Sequence, residues 1–206
     1  IRRSHPRGVF ICNPNNPTGQ YLARQEVERI LKVCGNGLLI LDEAYINFVD
    51  ESCSSIDLMP RGNLVIVRSM TKDYALAGLR LGYAVARKEI IDALRRVRPP
   101  WNVNAVAQQA GIMALDDTEY LERCNREMRK AKHYLINEFC RLGFTLIPSN
   151  TNFFLVKVGS AAEFSDGFMK HGILVRDCSS FGLAEYVRIA ARTMADCQKL
   201  IAVIQV

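Results

Sequence analysis

Residues 69–82 read SMTKDYALAGLRLG, and they follow the apolar, β-branched run at residues 63–67, which is typical of a buried strand. A strand that ends in small hydroxyl residues and a single lysine brings an amine to the carboxyl edge of a sheet, where open α/β folds bind ligands. A lysine that is partly desolvated there loses its proton near neutral pH and forms a Schiff base with an aldehyde. Lys72 is therefore the candidate anchor for an aldehyde cofactor, although most lysines are solvated surface residues.

Two further apolar strands are predicted upstream, at residues 9–12 and 38–41. The first is followed by NPNNPTG at residues 13–19, whose prolines, asparagines and glycine are typical of a rigid loop. The second ends in Asp42, and an acid at the end of an apolar strand costs free energy unless a cationic group faces it. An Asn-Pro loop alone is usually a turn, and a strand-end acid is usually a helix cap. The three segments in this order indicate one ligand site.

Four motifs carry a resemblance to a known family: NPTG at 16–19, DEAY at 42–45, SMTK at 69–72 and GLRLGY at 78–83. Together they resemble the aminotransferase class I and II family, the fold type I enzymes that depend on pyridoxal 5'-phosphate (PLP). The resemblance runs from about residue 9 to the C-terminus. It implies an α/β fold in which residues 1–117 are the C-terminal part of a PLP-binding large domain with a mainly parallel sheet. Residues 118–206 are then a small α+β C-terminal domain.

The resemblance also implies how the cofactor ring is held. Lys72 matches the Schiff-base lysine, and Asp42 matches the aspartate that pairs with the pyridine nitrogen. Asn16 and Tyr45 match the residues that bind the phenolic oxygen. The chemistry agrees, because the ring of PLP withdraws electrons only while its nitrogen stays protonated, and a buried carboxylate keeps it so.

The cofactor phosphate has two matching residues. Ser69 and Arg80 match the hydroxyl and the guanidinium that bind it in the family. Arginine presents a planar, bidentate set of donors that suits a phosphate better than lysine does. Gly78 and Gly82 flank Arg80, as expected where backbone crowds a ligand.

The second domain supplies four candidate substrate-binding residues. Arg188 lies inside the predicted strand 186–190, where it needs an anionic partner, and the resemblance implies the substrate carboxylate; a structural ion pair is the alternative. Arg192, two alternations further on, is expected on the same side and near a second anionic group. Arg176 is a candidate for a substrate phosphate or a solvated strand-end residue. Asn152, at a strand start, is either an active-site residue or an ordinary turn residue.

The segments at 99–105 and 173–181 look most like threonine-phosphate decarboxylases of cobalamin biosynthesis. Histidinol-phosphate aminotransferases share every cofactor motif and are the alternative. PLP enzymes cleave the Cα bond that lies perpendicular to the conjugated plane, and sequence does not fix that dihedral angle. A PLP-sensing module without catalysis and a folded remnant without cofactor are the remaining interpretations.

Composition bounds the remaining function classes. The chain has 206 residues, of which 49% are hydrophobic and 23% charged, and its net charge is +6. We expect no membrane span, no metal site and no nucleic-acid partner, because no long apolar run, metal-ligand spacing or basic stripe is present. Seven scattered cysteines favour a reducing cytoplasm. From the family we expect a homodimer and a small phosphorylated amino acid or amine as substrate, and we expect the N-terminal part of the enzyme to be missing.

The periodicity of apolar residues also predicts the remaining elements. Residues 51–62 are expected to form a loop with a short helix at most. Helices are predicted at 21–33, 88–97, 102–115, 117–142, 161–171 and 195–206, and further strands at 82–86, 144–147, 153–158 and 173–176.

Overall fold

The computed structural model describes residues 1–49, 54–61 and 63–204. Contacts divide the chain into two compact units, one of Ile1–Asn15 with Tyr21–Leu121 and one of Asn16–Gln20 with Glu122–Val206. The sequence placed the division after residue 117 and assigned the whole NPTG loop to the first domain. In the structure, the contacts of Asn16–Gln20 are instead those of the second unit.

The first unit is built on a four-stranded sheet. Its strands are β1 (Gly8–Cys12), β2 (Leu38–Asp42), β3 (Leu64–Ser69) and β4 (Gly82–Ala86), in that spatial order. The first three strands are parallel and β4 is antiparallel to β3. Since parallel strands end at the same edge, Cys12 pairs with Asp42, and Asp42 pairs with Val67.

Apolar residues on alternate positions of these strands form the core of the first unit. Leu39 and Leu41 of β2 and Leu64 and Ile66 of β3 are fully buried. They share one hydrophobic cluster with residues of the first helix. The helices of this unit are α1 (Arg24–Cys34), α2 (Lys88–Val97) and α3 (Ala105–Asp116), with 3₁₀ turns at Ile46–Phe48, Ser55–Arg61 and Ala77–Leu79.

Helix α1 begins three residues later than the periodicity predicts, at Arg24. The cause is Asn13, which is buried and whose side-chain amide pairs with both backbone groups of Leu22. Its Nδ2 donates to the Leu22 carbonyl (2.9 Å), and its Oδ1 accepts from the Leu22 N–H (2.7 Å). Leu22 is thereby held in the loop rather than in the helix.

The second unit contains an antiparallel sheet with helices. Its strands lie in the order β5-β6-β8-β7. Phe154 and Val156 of β6 and Val187 and Ile189 of β8 share a buried cluster, so the alternate residues of these strands lie on the opposite face. The elements are α4 (Thr118–Arg141), β5 (Thr145–Ile147), β6 (Phe153–Lys157), α5 (Ala161–Met169), β7 (Arg176–Asp177), β8 (Tyr186–Ala190) and α6 (Met194–Ile204).

The strand predicted at 173–176 is largely wrong, because only Arg176 of that range lies in β7. The N–H of Ile173 donates to the Phe168 carbonyl (3.1 Å) and is used by the end of α5. Gly172, with a φ of +71°, turns the chain there. The other predicted elements agree within three residues where the structure describes them. Residues 51–53, 62 and 205–206, which those predictions include, lie outside the described residues.

Candidate active site

Asp42, at the end of β2, is half-buried and only partly saturated with hydrogen bonds. Its Oδ1 accepts from the N–H of Ala44 (2.9 Å). Within the described residues, the partner of Oδ2 is the Cys12 thiol, at a long S···O distance of 3.9 Å. Burial, followed by the charge of Asp42, raises the pKa of that thiol. Oδ2 therefore has room for a stronger donor.

Tyr45 and Asp42 lie on the same short connection after β2. Tyr45 is half-buried at the start of the 3₁₀ turn Ile46–Phe48, and its ring lies 6.2 Å from the Phe48 ring. The turn is closed by a hydrogen bond from the Phe48 N–H to the Tyr45 carbonyl (3.2 Å). The backbone of Tyr45 is thus fixed by local structure.

The segment after β3 carries two hydroxyls and the lysine. The hydroxyl oxygens of Ser69 and Thr71 lie 2.7 Å apart, and the Thr71 N–H donates to Ser69 Oγ (3.2 Å). The Lys72 carbonyl accepts from the N–H of Ala75 (3.2 Å), which has a φ of +56°. Lys72 itself is exposed to solvent within the described part of the chain. The expectation that its amine is partly desolvated is therefore wrong there.

Arg80 is held in the left-handed region, with φ 58° and ψ 50°. It is exposed, and its Nη1 donates to the Ala77 carbonyl (2.9 Å). The expected crowding at the flanking glycines is half right. A Cβ on Gly78 would meet nothing within 4 Å, whereas one on Gly82 would lie 2.7 Å from the backbone oxygen of Arg68, which is protein rather than ligand.

These residues of the first unit fit the chemistry of PLP. Ser69 pairs with Gly82 across β3 and β4, and the Met70 N–H donates to the Leu81 carbonyl (3.1 Å). The backbone of the hydroxyl segment therefore runs beside the backbone that carries Arg80. Two hydroxyls and a guanidinium suit a phosphate ester. Asp42 Oδ2, whose partner among the described residues is a distant thiol, suits a ring N–H.

In the second unit, Arg188 projects from β8 on the face opposite the apolar cluster. Its Nη1 donates to Asn16 Oδ1, and its guanidinium lies 4.8 Å from the centre of the Phe153 ring. Among the residues that the structure describes, it has no carboxylate within ion-pair distance. The partners seen here are an amide and an aromatic face, so the guanidinium retains its capacity for an anion.

Arg176 lies directly opposite Arg188 in the pairing of β7 with β8, so both side chains lie on one face. Its Nη2 donates to Ser180 Oγ (3.0 Å), and its guanidinium lies 5.5 Å from the Phe181 ring centre. Both arginines line a cavity of about 1010 Å³. Two like charges facing each other across a strand pair are destabilising unless an anion joins them.

Asn152 and Arg192 line the same cavity but differ in their partners. The buried Oδ1 of Asn152 has no hydrogen-bond partner within the described part of the chain, which is costly for a native amide and leaves an acceptor for a ligand donor. Arg192 lies beyond the end of β8 and is exposed. It pairs with Asp196 (3.3 Å), so the expected alternation along one strand does not extend to it.

Sequence reasoning missed a group of buried polar residues in the first unit. Glu43 is fully buried and Asp73 nearly so. Arg68 Nε donates to Glu43 Oε2 (2.9 Å), and Arg68 Nη2 lies within ion-pair distance of the same oxygen (2.8 Å). Asn47 Nδ2 donates to Asp73. Burial raises the pKa of Asp73, while the Asn47 hydrogen bond opposes that rise. The available signals were a charged residue inside the DEAY motif, at position 43, and one directly after the SMTK motif, at position 73.

The described residues contain neither a cluster of metal ligands nor a membrane-spanning helix. No group of three or more His, Cys, Asp or Glu side chains could hold a metal ion. No helix there combines the length and the apolar character needed to cross a bilayer.

The model of the family "Aminotransferase class I and II" matches residues 2–204. The histidinol-phosphate aminotransferase of Symbiobacterium thermophilum is 42% identical over 188 residues, which cover 90% of this chain and 52% of that protein. The structure of L-threonine-O-3-phosphate decarboxylase from Porphyromonas gingivalis has a TM-score of 0.88 and 33% identity, covering 98% of this chain and 64% of that one. Histidinol-phosphate aminotransferase from Sinorhizobium meliloti in complex with PLP has a TM-score of 0.91 and 27% identity, covering 98% and 59%.

The chain thus spans about half the length of the curated relatives it matches. The similarity to these solved structures confirms the predicted fold class, an α/β PLP-transferase-like portion with a smaller α+β unit.

Proposed function

Because this chain belongs to the aminotransferase class I and II family, we propose that the protein is a PLP-dependent aminotransferase of histidinol phosphate. The family depends on PLP and its members are enzymes, as the motifs predicted. The sequence motifs ranked the decarboxylase first and this aminotransferase second. The 42% identity to a histidinol-phosphate aminotransferase supports the second reading better.

The observation that carries the substrate class is the arginine pair on β7 and β8. Arg176 and Arg188 face each other, line one cavity and have no acidic partner within ion-pair distance in the described residues. A phosphate dianion placed between two guanidiniums would remove their repulsion and satisfy several of their donors. Histidinol phosphate carries a phosphate and an amine, and a 2-oxo acid acceptor carries a carboxylate for the same cations.

Residues of the first unit would hold the cofactor and move protons. When bound, PLP supplies an electron-withdrawing ring that stabilises charge at the substrate Cα. Ser69 and Arg80 would bind its phosphate, and Asp42 Oδ2 would accept from its ring N–H and favour the protonated ring. Tyr45 would bind its phenolic oxygen. Lys72 Nζ would accept the proton that leaves the substrate Cα and would donate it again as the amino group is transferred.

A second candidate is decarboxylation of L-threonine O-3-phosphate. It is favoured by the structure from Porphyromonas gingivalis, at 33% identity and a TM-score of 0.88. That substrate carries a carboxylate as well as a phosphate. The same two arginines would then bind two different anionic groups, with the carboxylate held perpendicular to the ring plane.

The test supplies the full-length protein with PLP and either histidinol phosphate plus a 2-oxo acid or O-phospho-L-threonine. We expect amino transfer in the first mixture and no carbon dioxide in the second. Carbon dioxide from phosphothreonine, without amino transfer from histidinol phosphate, would replace the first candidate by the second. If neither reaction occurs, both candidate functions are rejected.

Variants of the arginine pair connect the activity to the structure. We expect Arg188→Gln to raise KM for the phosphorylated substrate about tenfold to 150-fold, which corresponds to losing one charged hydrogen-bonding group of ~1.5–3 kcal/mol. The control is Lys157→Gln, since Lys157 is exposed on β6 and pairs with Glu185 at 3.5 Å. If Arg188→Gln and Lys157→Gln have the same KM, Arg188 does not contribute to substrate binding.

A further inference from the structure

A buried side-chain link joins the two segments that carry the candidate catalytic residues of the first unit. Asp73 follows Lys72 directly and is only 7% exposed. Its Oδ2 accepts from Asn47 Nδ2, and its Oδ1 accepts from the Tyr74 N–H (3.0 Å). The two ends of the link are 26 residues apart in sequence. It therefore depends on the fold and not on local geometry.

The far end of the link lies in a rigid turn. Asn47 is the middle residue of the 3₁₀ turn Ile46–Phe48, which starts directly after Tyr45. The Ile46 N–H donates to the Glu43 carbonyl (3.1 Å), so the turn is closed onto the segment that follows Asp42. Asp73 is thus connected, through one side chain, to the backbone that carries Asp42 and Tyr45.

A second side-chain link joins the same two segments. Arg68, on β3, binds the buried Glu43 through two guanidinium nitrogens, and its Nη2 also donates to Ser54 Oγ (2.8 Å). The Glu43 N–H donates to the Val67 carbonyl (2.9 Å). The segments after β2 and β3 are therefore joined before Lys72 by an ion pair and after Lys72 by the Asn47–Asp73 hydrogen bond.

Asp73 is an expensive choice for a purely structural contact. A buried carboxylate loses hydration, and no cationic side chain pairs with Asp73 within ion-pair distance in the described residues. An apolar residue of similar size would fill the position at a lower cost. A carboxylate has two acceptor oxygens, however, and can bind the backbone after Lys72 and the distant amide at the same time.

We propose that Asp73, acting through Asn47, is a positioning residue that fixes the Lys72 loop relative to Asp42 and Tyr45. The proposal rests on the proposed function in one respect, namely that Lys72 is the residue to which PLP becomes attached. Asp73 does not touch the cofactor or the substrate in this role. It limits the movement of the exposed Lys72 by holding the next residue of the chain.

The test needs no substrate. The full-length protein is incubated with PLP at graded concentrations and reduced with borohydride, which turns the adduct of amine and aldehyde, formed with loss of water, into a stable secondary amine by adding a hydride and a proton. Peptide mass spectrometry then gives the fraction of Lys72 that carries PLP. Visible circular dichroism of the bound cofactor, per mole captured, reports its orientation.

We expect Asp73→Ala and Asn47→Ala each to raise the half-saturating PLP concentration about tenfold, as for loss of one charged hydrogen bond, and to reduce the visible dichroism. The double variant should capture PLP as well as the more impaired of the two single variants, because each single substitution already removes the same link. Asp73→Asn retains an acceptor for Asn47 and should recover most of the capture.

The matched control is Ile66→Val, a fully buried position on β3 that shortens a side chain without touching the link. It should lower the unfolding midpoint and leave capture and dichroism unchanged. Wild-type capture in Asp73→Ala, or an equal loss in Ile66→Val, would overturn the positioning role and leave the proposed function intact. Absence of capture at Lys72 in the wild type would overturn the positioning role and the assignment of Lys72 together, whereas capture without amino transfer would affect only the proposed substrate.

Discussion

Removing Arg68 should destabilise the first unit strongly, because it would leave a fully buried carboxylate without its cation. The Glu43 side chain is 1% exposed and the Arg68 side chain 12%. In Arg68→Met, the donors to Glu43 that remain among the described residues are the Ser54 hydroxyl (3.1 Å) and the Ser55 N–H (3.1 Å). Breaking a buried ion pair in this way costs about 3–5 kcal/mol. With a urea dependence of about 2 kcal/mol per molar, the unfolding midpoint should fall by ~1.5–2.5 M.

An exposed ion pair in the same unit provides the control. Arg24 binds Asp57, and their side chains are 30% and 55% exposed. Such pairs contribute about 0–1 kcal/mol, so Arg24→Met should move the midpoint by less than ~0.5 M. Both variants are measured by far-ultraviolet circular dichroism in urea.

A double variant distinguishes the cost of an unpaired buried charge from the loss of the ion pair itself. Replacing Glu43 by leucine in the Arg68→Met background removes the unpaired charge, so the double variant should be more stable than Arg68→Met alone. Two results would refute the reasoning. One is a midpoint for Arg68→Met no lower than for Arg24→Met, and the other is a double variant as unstable as the sum of the singles.

Three further predictions follow from single contacts. The raised pKa of Asp73 means that the folded protein binds more protons than the unfolded chain between about pH 3.9 and the folded-state pKa. Native stability is therefore lost as pH rises through that window. Urea unfolding across pH should show Asp73→Asn gaining stability relative to the wild type as pH rises, and a stability difference that stays constant with pH would contradict this. Gly19→Ala should cost more than Gly143→Ala in the same assay, because both have positive φ but only at Gly19 would a Cβ lie 1.9 Å from a neighbouring hydroxyl oxygen. Arg176→Leu should stabilise the ligand-free protein by about 0.2–1 kcal/mol by relieving repulsion with Arg188 while weakening phosphate binding, and thermal unfolding with and without phosphate checks both effects.

The positions of Asp42, Ser69 and Lys72 in the fold could be predicted because these residues lie at or shortly after the ends of strands. Asp42 and Ser69 end β2 and β3, and Lys72 comes three residues later. Strand ends are visible in sequence as the limits of apolar runs. Parallel pairing then brings such ends to one edge of the sheet without any long-range information about side chains.

The buried polar links could not be predicted in the same way. Arg68 and Glu43 are 25 residues apart, and Asn47 and Asp73 are 26 apart, so their pairing depends on which face of β3 and which side of the turn each side chain occupies. Propensity and periodicity do not contain that information. The exposure of Lys72 was mispredicted for a related reason: desolvation depends on what covers a strand end and not on the strand itself.

The arginines on β7 and β8 add no ionic attraction to the strand pair, which supports the proposal that they bind an anion. Arg188 and Arg176 are register partners, and each interacts with an uncharged oxygen and an aromatic ring, namely Asn16 Oδ1 with Phe153 and Ser180 Oγ with Phe181. An acid at either position would replace repulsion by attraction across the strand pair. Retaining two cations side by side on a cavity wall is unfavourable until an anion enters. Phosphate should therefore raise the thermal midpoint of the wild type and lose that effect when either arginine is replaced by leucine.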